Sequence, residues 1–132
     1  MSKPAIYHPL VSDLDETPSY SQVVEVDGWL FVAGQVANDP PNHRVTLPDD
    51  IEGQTRLAME NLGAALAAAM TTLADLVSVR VFLTEFATEF DRMNAVYRSF
   101  FTPGRLPART CVGVAALARG TRIEIDGIAR RT

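Results

Sequence analysis

The spacing of apolar residues changes several times along the chain, and each change marks an element. Tyr20 to Val26 and Trp29 to Ala33 are rich in β-branched and aromatic residues and flank Asp27-Gly28. That dipeptide accepts the positive φ angles of a type I′ turn, so the segment predicts a β-hairpin. From Ile51 to Met70 the period becomes helical, with Ala58, Leu62, Ala65, Leu66 and Ala69 on one narrow stripe that can approach a sheet closely. Asp49, followed three residues later by Glu52, is read as the acidic start of this helix. Leu76 to Leu83 alternates and predicts a strand with Val77, Val79, Val81 and Leu83 on one face. A second helix is expected from a capping pair at Thr88 and Asp91 to Phe101, where Pro103-Gly104 stops it, with Phe90, Met93, Tyr97, Phe100 and Phe101 as its apolar stripe. Arg109 to Ala116 and Thr121 to Ala129 then read as a closing hairpin around Gly120. Hairpin, helix, strand, helix and hairpin predict an α+β fold, a mixed sheet with two helices on one face.

The 132 residues suit a single domain spanning 1–132, in which 1–18, with Pro4, Pro9 and Pro18, forms an irregular arm carrying a short strand at Ala5 to His8. Hydrophobic residues make up 47% and charged residues 21%, a globular balance that excludes disordered and collagen-like chains. The net charge of -4 lacks the basic excess that phosphate-backbone binding requires, so nucleic acid is not expected as a partner. Eleven of the twelve basic residues are arginine, the side chain best shaped to hold a carboxylate in a planar fork, which keeps small organic acids open as ligands.

The longest apolar run, Leu62 to Met70, is too short to span a bilayer, so no membrane partner is expected. The lone Cys111 cannot form an internal disulfide, and with no secretory pattern at the start of the sequence a cytoplasmic location is expected. His8 and His43 stand apart without zinc-site spacing, and Pro40 and Pro41 deny Asp39 and His43 a shared helix, so no metal is expected. Phosphate-cradling glycine loops, a GxSxG elbow and HExxH are all missing, so the chemistry is expected to need no cofactor.

In a closing hairpin, Arg109, Cys111, Gly113, Ala115, Glu124 and Asp126 would share one face, too small and too charged for an internal core. That face is expected to meet a second copy of the chain. Arg109 and Glu124 would point the same way about 13 Å apart, at roughly 3.3 Å per residue, both directed at a ligand in a cleft between chains. Asn94 lies beside an apolar stripe, where a buried amide must find partners, a neighbouring backbone being the expected one. Cys111 has no motif for thiolate activation, so its backbone is the expected contributor.

Tyr20-Ser21-Gln22, Ala33-Gly34-Gln35, Gln54-Thr55 with Asn61-Leu62, Asn94 to Tyr97 with Phe100-Phe101, Pro107 to Val112 and Ile123 to Ala129 occur in an order that resembles the YjgF/RidA family of reactive-intermediate deaminases. The resemblance runs from Tyr20 to Ala129. It implies a chorismate-mutase-like α+β fold assembled as a homotrimer with sites between subunits. It also implies hydrolysis of 2-imino acids, of the 2-iminopropanoate and 2-iminobutanoate type, to 2-oxo acids and ammonia without metal or organic cofactor. Arg109 would then hold the substrate carboxylate and Glu124 would manage the proton transfers, the two catalytic residues. Tyr20, Gly34, Asn94 and Cys111 would complete the substrate-binding set. Alternatives are a related substrate of the aminoacrylate or aminomuconate type, or a trimer that binds small carboxylates or acts as a chaperone without turnover. Ala33 stands where many relatives carry Ser, and Met70 where a Gly commonly ends the first helix.

Overall fold

The computed structural model describes residues 4–8, 19–38 and 47–132. The stretch holding Asp39 and His43, and most of the N-terminal arm, lie outside the described residues. Six strands and two α-helices follow in the order β1 (Ala5–His8), β2 (Val23–Val26), β3 (Trp29–Val36), α1 (Ile51–Ala68), β4 (Leu76–Leu83), α2 (Phe86–Arg98), β5 (Ala108–Gly113) and β6 (Ile123–Arg130). One mixed sheet runs β1-β2-β3-β6-β4-β5, and both helices pack on the same face of it. This is the expected α+β architecture.

The first hairpin forms as the sequence requires, with Asp27 at φ 52° and Gly28 at φ 81° turning β2 into β3. Ala58, Leu62, Ala65, Leu66 and Ala69 are all buried, so the whole small-residue stripe of α1 meets the sheet. The helix starts at Ile51 as expected, but the cap is Asp50 rather than Asp49, its carboxylate accepting from the Gly53 N–H at 2.9 Å. α2 has no Thr88 cap either; it begins at Phe86 behind Glu85, and Thr88 lies within its first turn. Its regular turns end at Arg98, with Ser99 to Phe101 continuing as looser turns that bury less.

Two expectations about the sheet are corrected. In β4 a register shift between Leu76 and Ser78 puts Leu76 into the core and leaves Val77 exposed. A bulge adds one residue and so exchanges faces on one side of it. More consequentially, β5 and β6 do not form a hairpin. β5 lies parallel to β4 at the sheet edge, with α2 as the crossover, while β6 inserts antiparallel between β3 and β4. A short connection permits a hairpin but does not compel one. Here β6, whose alternate residues Ile123, Ile125, Gly127 and Ala129 are buried, gains two strand neighbours instead of one.

The new pairing reassigns the faces. Val79 pairs with Arg109, and Val81 with both Cys111 and Ile125. Side chains directly opposite in register share a face. Arg109 and Cys111 therefore lie on the helix side with the core residues Val79, Val81 and Ile125, while Glu124 and Asp126 project from the face that neither helix covers. In register on that open face stand Tyr7, Val24, Phe31 and Ile128, one row across four strands. Tyr7, Phe31 and Val112 are exposed there.

Candidate active site

Arg109 sits on the edge strand β5, half-buried against α2. Its Nη1 donates to Asn94 Oδ1 at 2.7 Å. Its guanidinium carbon lies 4.7 Å from the Tyr97 ring centre and 5.8 Å from that of Phe90. Asn94 and Tyr97 are three residues apart on α2 and so present adjacent side chains to the strand. The sequence reading expected Asn94 to bond a backbone; it bonds the guanidinium. The helical stripe predicts core packing for Tyr97 and Phe90, yet both also form the aromatic floor beneath Arg109. Spacing alone cannot reveal this, because a core ring and a cation platform occupy the same helical stripe.

Among the described residues, no acidic side chain forms an ion pair with Arg109. Its neighbours orient it without neutralising it. Beside it, strand alternation fixes the backbone. The Val114 N–H donates to Leu83 O, so Val112 and Thr110 turn their peptide groups towards β4 and Cys111 turns its N–H and C=O off the free edge. The Cys111 thiol faces the helix side, and burial, only partly opposed by Arg109, pushes its pKa up. A thiol held protonated is a poor nucleophile, which agrees with a backbone role.

Glu124 belongs to a second cluster. It pairs with Val36 across β3 and with Phe82 across β4. A β-carbon built on Gly34 would fall 2.5 Å from Glu124 Oε2, so the missing side chain is what makes room for this carboxylate. The segment is anchored from behind by buried Asn61, whose amide donates to Val36 O and Asn38 O, both at 2.8 Å. Burial chiefly, and then the neighbouring Asp126 charge, raise the Glu124 pKa, with Arg80 opposing. A carboxyl raised in this way keeps its proton to higher pH than an ordinary glutamate does. Tyr20 is exposed two residues before Gln22, whose carbonyl accepts from the Ala33 N–H next to Gly34.

The six expected residues thus form two groups. Arg109, Asn94 and Cys111 meet at the free edge on the helix side; Glu124 and Gly34 meet on the open face, with Tyr20 tied to the adjoining chain. β4 separates β5 from β6, and Arg109 pairs with Val79 while Glu124 pairs with Phe82, so the two stand two strand spacings across the sheet and three residues along it, about 14 Å apart, with their side chains on opposite faces. The expectation that they point the same way within one chain is overturned.

A guanidinium with uncommitted donors, a free strand edge and a raised carboxyl are the parts of an organic-acid site. The comparisons agree with that class. Residues 11–131 match the model of the endoribonuclease L-PSP family, and the chain belongs to this family, the YjgF/RidA family of its sequence resemblance. Protein DfrA of Myxococcus xanthus is 42% identical over 83% of this chain and 83% of that one. The mouse protein named 2-iminobutanoate/2-iminopropanoate deaminase is 38% identical over 83% of this chain and 79% of its own. Among solved structures, Escherichia coli TdcF with bound serine superposes with a TM-score of 0.78 at 33% identity, covering 87% of this chain and 90% of that one.

Proposed function

We propose that the protein is a cofactor-independent deaminase that hydrolyses 2-imino acids, of the 2-iminopropanoate and 2-iminobutanoate type, to 2-oxo acids and ammonia. The reading is carried by Arg109, a guanidinium braced by a neutral amide oxygen and aromatic faces with its charge unspent, next to an outward Cys111 N–H. A substrate carboxylate completes that arrangement through charge-assisted hydrogen bonds. Bound serine in the TdcF structure, a small carboxylate on a related chain, supports this choice of ligand class.

The carboxylate bound at Arg109 holds the C=N bond at a fixed distance from the sheet edge. Glu124 in its acid form donates a proton to the imine nitrogen, raising the electrophilicity of the carbon. As carboxylate it then takes a proton from the attacking water, and a tetrahedral carbinolamine results. Glu124 passes that proton to the amine, and as ammonia leaves, the carbinolamine hydroxyl gives its proton back to the Glu124 carboxylate, which yields the 2-oxo acid and restores the acid form. Imines hydrolyse readily in water, so orientation plus one proton relay accounts for the catalysis.

Within one chain the two groups cannot reach one small molecule. The reading therefore includes a homotrimer in which the β5 edge of one copy meets the open face of the next, and Glu124 comes from the neighbouring copy. The exposed apolar residues Phe31, Tyr7 and Val112 on the open face favour such burial.

The test generates 2-iminobutanoate in situ with an amino-acid oxidase and follows 2-oxo acid release. Wild type should exceed buffer, and Arg109→Ala should fall towards buffer. Equal rates for the two proteins reject the reading, and carboxylate binding without any gain over buffer replaces it with the binding-only alternative.

A further inference from the structure

Glu124 has a charged neighbour on its own face. Asp126, two residues along β6, faces Arg80 on β4 in direct register. The Arg80 guanidinium closes a fork on it: Nε donates to Oδ1 at 3.0 Å and to Oδ2 at 3.2 Å, and Nη2 also donates to Oδ2. The same guanidinium lies 5.4 Å from the ring centre of Phe82, the residue directly opposite Glu124. Around Glu124 stand Gly34 and Val36 of β3, Phe82 of β4 and Val112 of β5 beyond it, none of which titrates. Within one copy, and among the described residues, the charges that act on Glu124 are those of Asp126 and Arg80; in the proposed trimer the Arg109 of a neighbouring copy faces it as well, unchanged in every variant compared below.

We propose that Asp126 and Arg80 form a charge-setting pair that governs when Glu124 holds its proton, with Asp126 as the opposing charge and Arg80 as the group that fixes and moderates it. An anion on the same strand face favours the neutral acid form of Glu124. A fork pinned on both carboxylate oxygens prevents Asp126 from rotating and offsets part of its field. Arg80 is thereby a positioning residue that reaches the chemistry through Asp126. The consequence for turnover rests on the reading of Glu124 as the proton-transfer group, whereas the effect on its carboxyl does not.

A cross-strand ion pair that merely holds β4 to β6 would leave the titration of Glu124 unmoved, which makes that titration the discriminating measurement. The full-length protein is labelled with carboxyl-13C glutamate, the Glu124 resonance is assigned with Glu124→Gln, and its midpoint is followed with pH. The expected order of midpoints is Asp126→Asn lowest, wild type between, and Arg80→Met highest, with Arg80→Lys between wild type and Arg80→Met. Because the Arg80 side chain is 64% exposed, Arg80→Met keeps the test open even where Asp126→Asn fails to fold. Coincident midpoints in wild type and folded Arg80→Met, or a downward move in Arg80→Met, overturn the proposal. The pH dependence of 2-oxo acid release is measured on the same proteins. A rate limb that follows the Glu124 midpoint supports the pair's effect on turnover. A limb that stays put while the midpoint moves removes Glu124 from proton transfer and leaves the charge-setting pair established.

Discussion

Mixing two inactive variants should restore activity if, as proposed, the site is divided between copies of the chain. Arg109 lies on the helix side of edge strand β5, and Glu124 on the open face of β6 with β4 between them. Two strand spacings across the sheet and three residues along it, about 14 Å, together with the thickness of the sheet, exceed what a four-carbon imino acid can bridge. Arg109→Ala and Glu124→Gln are each expected to be nearly inactive. When they are co-expressed in equal amounts and assemble at random, a site has an even chance of drawing an intact Arg109 from one copy. It has an even chance again of drawing an intact Glu124 from its neighbour, so about one-quarter of sites are complete in any closed ring. The assay is 2-oxo acid release from 2-iminobutanoate generated in situ, measured on the purified mixed oligomer and on each variant alone. Recovery near a quarter of the wild-type rate supports a shared site. Recovery no greater than the variants' own residual rates refutes the argument, since two residues of one chain can never be rejoined by mixing single variants.

Other consequences are local. Asn94→Ala removes the oxygen that holds Arg109 Nη1; a hydrogen bond to a charged group is worth about 1.5–3 kcal/mol, so KM should rise by about tenfold or more, while Asn94→Asp, which offers Arg109 a competing carboxylate, should weaken substrate binding further. Glu25 is held at a pKa of about 2 by hydrogen bonds from Arg131 and then His8, against the opposing effect of burial. Its folded pKa lies below the unfolded one, so its stabilisation is present above about pH 4.5 and is lost as pH falls towards 2; Glu25→Gln should flatten that part of the acid unfolding curve, followed by circular dichroism. Met70 closes α1 at φ 62° and is exposed. Met70→Gly should therefore stabilise the fold by about 1 kcal/mol in denaturant titration, because glycine adopts this left-handed conformation without the β-carbon penalty.

Where the sequence was legible, a local pattern had only one three-dimensional solution. Asp27-Gly28 could turn only one way, and the stripe from Ala58 to Ala69 could bury only one face. Residues 76–83 likewise formed a strand with the expected bounds. The sequence marks Arg109 and Glu124 as candidates, but the shared face it predicts for them does not form, and the reason is topological. Alternation within β5 and β6 says which residues share a face inside each strand, and nothing about which face of one matches which face of the other. A hairpin aligns them in one way; a β6 placed between β3 and β4, with β5 parallel beyond β4, aligns them in the opposite way. The decision belongs to contacts far apart in sequence, such as Val81 with Ile125 and Leu83 with Ile123, where the helix-covered core gains two fully buried isoleucines.

That same inversion gives the open face its meaning. With Ile123 and Ile125 turned under the helices, the remaining side of β6 is left with Glu124 and Asp126, and a half-buried carboxyl next to another acid is costly in its charged form. Gly34 gives up a side chain to admit Glu124, Arg80 moderates its acidic neighbour, and Asn61 ties down the β3 end beside it. On the proposed reading that acid, Glu124, is a working group, and the chain's own Arg109, facing away across β4, cannot be the partner it works with. A second copy can.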